Sequence, residues 1–273
     1  MVAHESVHRA LSGASLGRRL RRAAAACVCA AALGLASPGA AATPPPSPLS
    51  GPVAREAWRD LTTFHEDRAR IDRARDLLEQ EVARAPSLES LVLLAWAHLA
   101  WADYRAATTE AKLASYERGR DVAKRAIDLA PRSPEAHLWY AANLGRWALT
   151  SGKLRAAFML STLRGEIDTI LEIDSNYVPG LSLAGSFYLE TPALFGGDVP
   201  RAESYLRKAV TLDPHFTRAR VELARCLIEQ RRYVEARTEL TRVLDEREPS
   251  YPADWVLRHK PHAERLLAEI RSR

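Results

Sequence analysis

Cysteine is nearly absent from this chain. Cys27 and Cys29 lie in the first 42 residues and only Cys226 follows them. Past that point no intramolecular disulfide can form, even in an oxidising compartment, and stability must come from packing. Cys226 has no cluster of His, Lys or Arg placed to lower its pKa and reads as a small buried hydrophobe in a helix. An excess of one charge is lacking too, once the charges are located. The formal net charge is +5, but residues 1–42 hold five Arg and one Glu, which leaves 34 basic and 33 acidic residues beyond them. That near-balance excludes the electrostatic footprint of a nucleic-acid binder. Catalytic signatures are missing as well: there is no Ser/His/Asp order, HExxH, set of paired metal ligands or phosphate loop. Gly196-Gly197 precedes a helix, yet no Lys-Ser/Thr follows and Asp198 would repel an anion. Carboxylates are spread along solvated faces, and adjacent ones such as Glu66-Asp67 point to different sides of a helix. His65 and His98 lack further ligands and read as amphipathic side chains at the core edge. No cofactor, no metal and no catalysis is expected.

Nor is there a run of about 20 apolar residues. The longest, from Ala23 to Ala36, has about 14, preceded by Arg18, Arg19, Arg21 and Arg22 and followed by Ala40-Ala41-Ala42. Residues 1–42 are therefore expected to be a secretory signal, with export to the periplasm or cell envelope and a mature chain starting near Thr43. The Arg18-Arg19 pair fits an ordinary n-region and a twin-arginine signal alike. Cys27 follows the arginines with no apolar segment before it, unlike a lipoprotein acylation site, so membrane association stays open. Residues 43–52 contain Pro44, Pro45, Pro46, Pro48 and Pro52 and read as a stiff, solvated tether.

What the chain does contain is a repeat. Ala202, Leu206, Ala209 and Pro214 are followed by Ala236, Leu240, Val243 and Pro249, and Ala202 to Ala236 spans 34 positions. Each set gives a helix one apolar face. Leu223, Ala224 and Leu227 mark a partner helix between them whose small residue allows close approach. A helix pair at this period resembles the tetratricopeptide repeat (TPR). Five units recur in phase over residues 53–249. The first carries Trp58, Leu61, His65, Ala74, Leu78 and Pro86, with Glu81 where a small residue is usual. The second runs from Ser87 to Pro131 with longer helices, because Trp101 to Ser115 has no Pro or Gly to mark a loop. The fourth carries an insertion in which Pro192 ends a helix, Phe195 plugs a gap, Gly196-Gly197 turns and Asp198 caps the next helix. Residues 250–273, with Trp255, Leu266, Leu267 and Ile270 on one side, read as a capping helix.

In the third unit Tyr140, Leu144 and Trp147 form the expected buried stripe, and Trp139, Asn143 and Arg146 a second stripe beside it. An indole, an amide and a guanidinium so spaced suit recognition better than a random polar face does. The strings Trp139-Tyr140-Ala141-Ala142-Asn143, Leu194-Phe195-Gly196-Gly197-Asp198 and Lys260 to Leu267 resemble exported bacterial TPR proteins related to the T component of TRAP transporters. They are similar also to the TPR domain of regulator-of-microtubule-dynamics proteins. These resemblances imply an all-α, right-handed solenoid of five helix pairs plus a cap, whose first helices line a concave face. Glu135, Trp139, Asn143, Arg146, Arg218, Val221 and Arg225 would then form a partner-binding groove. The T-component resemblance implies a periplasmic solute-binding protein as partner and an apolar small molecule as the alternative ligand.

Overall fold

The computed structural model describes residues 49–273; the expected signal segment and most of the Pro-rich tether lie outside the described residues. Consecutive helices fold back on one another as five pairs. They are α1 (Pro52–Thr63) with α2 (Ala69–Arg84), α3 (Leu88–Tyr104) with α4 (Thr109–Leu129), and α5 (Pro134–Ser151) with α6 (Lys153–Ile173). Then come α7 (Val178–Glu190) with α8 (Val199–Leu212) and α9 (Thr217–Glu229) with α10 (Tyr233–Asp245). Among the described residues there is no strand, and no helix is long and apolar enough to cross a membrane.

Local chemistry sets the helix starts. Ser87, Thr108, Ser133 and Asp198 each accept a hydrogen bond from the backbone N–H three residues on, and Pro52, Pro134, Pro179 and Pro200 occupy first turns where a missing N–H costs nothing. The second pair is long, with helices of 17 and 21 residues, as the unbroken sequence predicts. The helical start at Pro52 shortens the tether. Its last residues are already attached, since the Ser50 N–H and hydroxyl donate to Glu89 on α3 at 3.1 and 2.8 Å.

Two cores of buried residues run through the array. One joins the first three pairs through Leu61, Phe64, Ile71, Leu78, Leu94 and Trp96, and the other joins the last pairs through Leu181, Leu206, Leu223, Leu227 and Leu240. Small residues permit the close approach that the spacing implies: Ala202, Ala209 and Ala236 are fully buried. Cys226 is buried too, and burial pushes its thiol pKa up to about 12. The insertion is corrected in one respect. Asp198 caps α8 as expected, but Phe195 plugs nothing, being 52% exposed beside Leu194 at 89%. The 3-10 turn Ala193–Phe195 is held instead by its backbone, with Gly196 at φ 92° accepting from the Arg164 guanidinium.

After Tyr251 the chain runs as one last helix, α11 (residues 252–269), interrupted by a π-helical turn at Trp255–His259. Pro261 explains that turn. It removes one backbone donor and crowds the preceding carbonyls, and the Lys260 N–H reaches five residues back to the Trp255 carbonyl instead. The C-terminal half of α11 covers α9 and α10 through Ala263, Leu266 and Ile270, and Trp255 Nε1 donates to the Val243 carbonyl at 2.8 Å. Its N-terminal half does more than cap. Ala253 is buried in the core of the first pairs, and the Tyr104 hydroxyl on α3 donates to Asp254 at 2.9 Å. The last helix thus reaches across the array to the first elements.

Candidate functional site

In a strict solenoid each repeat touches only its neighbours. Here Tyr251 breaks that rule. Its ring lies 5.8 Å from Trp96 of α3 and 5.6 Å from Phe216 beside α9, both edge-on, and 6.2 Å from Trp58 of α1. The first and last pairs are thereby joined, and α11 runs along the concave face. What remains of that face is a cavity of about 430 Å³ lined by α3, α5, α7, α9 and α11.

The lining follows from helical spacing. On α5, Trp139, Ala142, Arg146 and Leu149 face inward; on α7, Pro179, Leu183, Ser186 and Glu190 do; on α9, Arg218, Val221, Glu222 and Arg225 do. The members of each set fall three or four residues apart, apart from the neighbours Val221 and Glu222, one stripe per helix. Because the first helices of all pairs share one direction, like positions on neighbouring helices stand level. Toward the N-terminal ends lie Pro179, Phe216, Arg218 and Trp139, the last stacked on Trp96 at 5.3 Å with their planes 12° apart. Asp103, Arg146, Glu190 and Arg225 stand in the C-terminal halves.

The charged end is tightly paired. The side chain of Asp103 is buried and accepts from Arg146, from Arg258 of α11 at 3.0 Å and from the Tyr116 hydroxyl at 2.5 Å. Burial alone would push its carboxyl pKa up, but Arg146, then Arg258 and Tyr116, hold it below the usual range. Arg225 sits between Glu190 at 3.0 Å and Glu222 at 2.5 Å. His259 of α11 meets the Thr217 hydroxyl at 2.9 Å, and burial, with Arg218 and Arg258 nearby, lowers its pKa to about 3. It is therefore neutral at physiological pH. Arg218 also lines the cavity, with its side chain exposed to solvent.

Five of the seven expected groove residues line this cavity: Trp139, Arg146, Arg218, Val221 and Arg225. Two do not. Glu135 stands in the first turn of α5, where an acid complements the helix dipole, and accepts from the Ser133 hydroxyl at 3.2 Å. Asn143 is fully buried between helices. Its Nδ2 donates to the Ala95 carbonyl of α3 at 3.1 Å and to the Trp139 carbonyl at 2.9 Å, and it presses against Gly119 of α4, where a Cβ would come within 2.3 Å of its Oδ1. Asn143 is a clamp among three helices, and the paired stripe of Tyr140 and Trp147 is only half-buried. The sequence reading missed Tyr251, Asp254, Arg258, Asp103 and Glu190. A charged residue in the C-terminal half of α3, α5, α7 and α9, at Asp103, Arg146, Glu190 and Arg225, is a register that could have revealed part of the set. No cluster of candidate metal ligands occurs among the described residues.

Comparison with known proteins agrees with this architecture. The family model described as Tetratricopeptide repeat matches residues 196–253, and that described as Regulator of microtubule dynamics protein 1-3 matches residues 60–194. Among solved structures, the thermophilic TPR protein TTC0263 of Thermus thermophilus is 19% identical, with a TM-score of 0.56 over 76% of this chain and 98% of its own. MamA from Desulfovibrio magneticus is 17% identical, with a TM-score of 0.42 over 71% of this chain and 95% of its own. No curated protein matches the chain.

Proposed function

Since the chain is a tetratricopeptide-repeat protein, we propose that it is a non-catalytic scaffold, exported to the periplasm or cell envelope, that holds a small apolar molecule inside its concave face. Its partner would be a protein, a periplasmic solute-binding protein in the reading that the T-component resemblance suggests. One observation carries the ligand. The concave face on which such arrays commonly hold partners is occupied here by the chain's own α11, which leaves a cavity of about 430 Å³, within the range of small-molecule sites. Apolar and aromatic side chains make up more than half of its lining, and charged side chains with two histidines supply most of the rest.

The partner surface lies outside the cavity. On α6 only Ile167 and Ile170 are buried, while Leu154 and Phe158, one turn apart, are 73% and 69% exposed. Apolar side chains of this size on an exposed helix face favour contact with another protein. Native mass spectrometry of the purified full chain is expected to show a bound small molecule, and pull-down from the cell envelope a protein partner that is lost in Leu154→Asp/Phe158→Asp. A chain that carries no ligand and takes up no apolar probe would overturn the carrier reading. Undiminished partner recovery in the double variant would move the protein contact elsewhere.

A further inference from the structure

We propose that a second copy of this chain covers the exposed face of α6, lying antiparallel to it about a twofold axis at Ser161 and Thr162. This rests on the reading of that face as a protein contact and names what covers it. Leu154, Phe158, Ser161, Gly165, Asp168 and Glu172 are all exposed, and their spacing sets them on one side of the helix. The two large apolar side chains stand at its N-terminal end, and residues 156–163 carry no charge. Gly165 lies in the interior of this 21-residue helix, where glycine is unfavourable, yet a Cβ there would meet nothing within 4 Å. No neighbour in this chain requires it, and the space above it is open to a side chain from outside.

The charges decide which outside chain fits. Lys153 and Arg155 stand in the first turn of α6, and Asp168 and Glu172 in its last turns. None of the four forms an ion pair among the described residues, whereas Arg207, Arg232, Glu203 and Glu235 interlock at α8 and α10. A face that is basic at one end and acidic at the other complements a reversed copy of itself and repels a parallel one. The register agrees. Phe158 and Gly165 lie three positions outside the Ser161-Thr162 pair, and Arg155 and Asp168 six. Reversal about that pair brings Phe158 over Gly165 of the partner subunit and Arg155 level with Asp168 of the partner subunit, and the twofold makes each contact twice. A further protein from the cell envelope then meets the paired chains, and both contacts depend on Leu154 and Phe158.

Sedimentation equilibrium of the purified full chain tests this. Wild type is expected to pass from monomer to dimer over roughly 1–100 µM, as suits an interface of one helix pair. Gly165→Trp fills the space that Phe158 enters and displaces nothing in its own chain, so it is expected to melt like wild type and remain monomeric. Lys153→Glu/Arg155→Glu and Asp168→Lys/Glu172→Lys are each expected to weaken self-association about tenfold or more, and an equimolar mixture of the two to associate again as a heterodimer. A wild type still monomeric at about 100 µM, a Gly165→Trp chain that dimerises, or a mixture that stays apart overturns the second copy. If the envelope partner is nonetheless lost in Leu154→Asp/Phe158→Asp, the reading of α6 as a protein contact stands. Dimers and partner recovery that both survive that double variant overturn the two together.

Discussion

Tyr251→Ala is the perturbation that most directly probes the closure of this array. Its ring contacts Trp58, Trp96 and Phe216, residues of the first pair, the second pair and the start of the fifth. Aromatic pairs in such geometry contribute about 0.5–1.5 kcal/mol each beyond buried area, and truncating a fully buried aromatic to Ala costs about 3–5 kcal/mol. Tyr251 is half-buried, so a cost of about 3 kcal/mol is expected. For a chain of this size 1 kcal/mol moves Tm by about 2–4 °C, giving a fall of about 6–12 °C in melts followed by circular dichroism at 222 nm. The shape of the transition is the more specific readout. With the long-range contact gone, each end is held only by its neighbours, and the single melt is expected to broaden or split. Tyr251→Phe keeps the stacking and is expected to melt close to wild type. If Tyr251→Ala melts within about 1 °C of wild type and as sharply, α11 does not tie the ends together and the account of the cavity falls with it.

Ala209 is fully buried on α8, so Ala209→Trp is expected to destabilise by about 1–3 kcal/mol or more through overpacking; an unchanged melt would refute the assigned helix register. His98 is buried with its pKa lowered to about 4 by desolvation first and then by Arg75 and Arg118. The unfolded chain binds that proton near pH 6.5 while the fold does not, so stability is expected to fall as pH drops from about 6.5 toward 4. His98→Gln should flatten that slope in denaturant titrations at stepped pH, and an unaltered slope would show that other groups govern it. Cys226, buried with a thiol pKa near 12, should resist thiol reagents at about pH 8 in the native state and react within minutes in denaturant; rapid native labelling would place it at the surface.

The sequence by itself determined the helix pairs. Spacing of Ala202, Leu206 and Ala209, and of their counterparts 34 residues on, is a local property: it states which face of a helix is apolar, and the pairing of neighbours follows from short connections. The capping role of Asp198 and the burial of Cys226 were legible for the same reason. The site was legible only in part. Trp139, Arg146, Arg218, Val221 and Arg225 were found because they lie on first helices, whose inward stripe follows from the period. Asn143 was misplaced because its surroundings come from Gly119 and Ala95 on two other helices, and no pattern within α5 distinguishes a clamp from a recognition residue. Closure of the concave face was decided by tertiary structure alone. Tyr251 meets Trp58 from 193 positions away in the chain, Arg258 meets Asp103 across 155, and repeat periodicity carries no information about contacts between the two ends of an array. Only when α11 lies across the face does Asp103 gather two arginines.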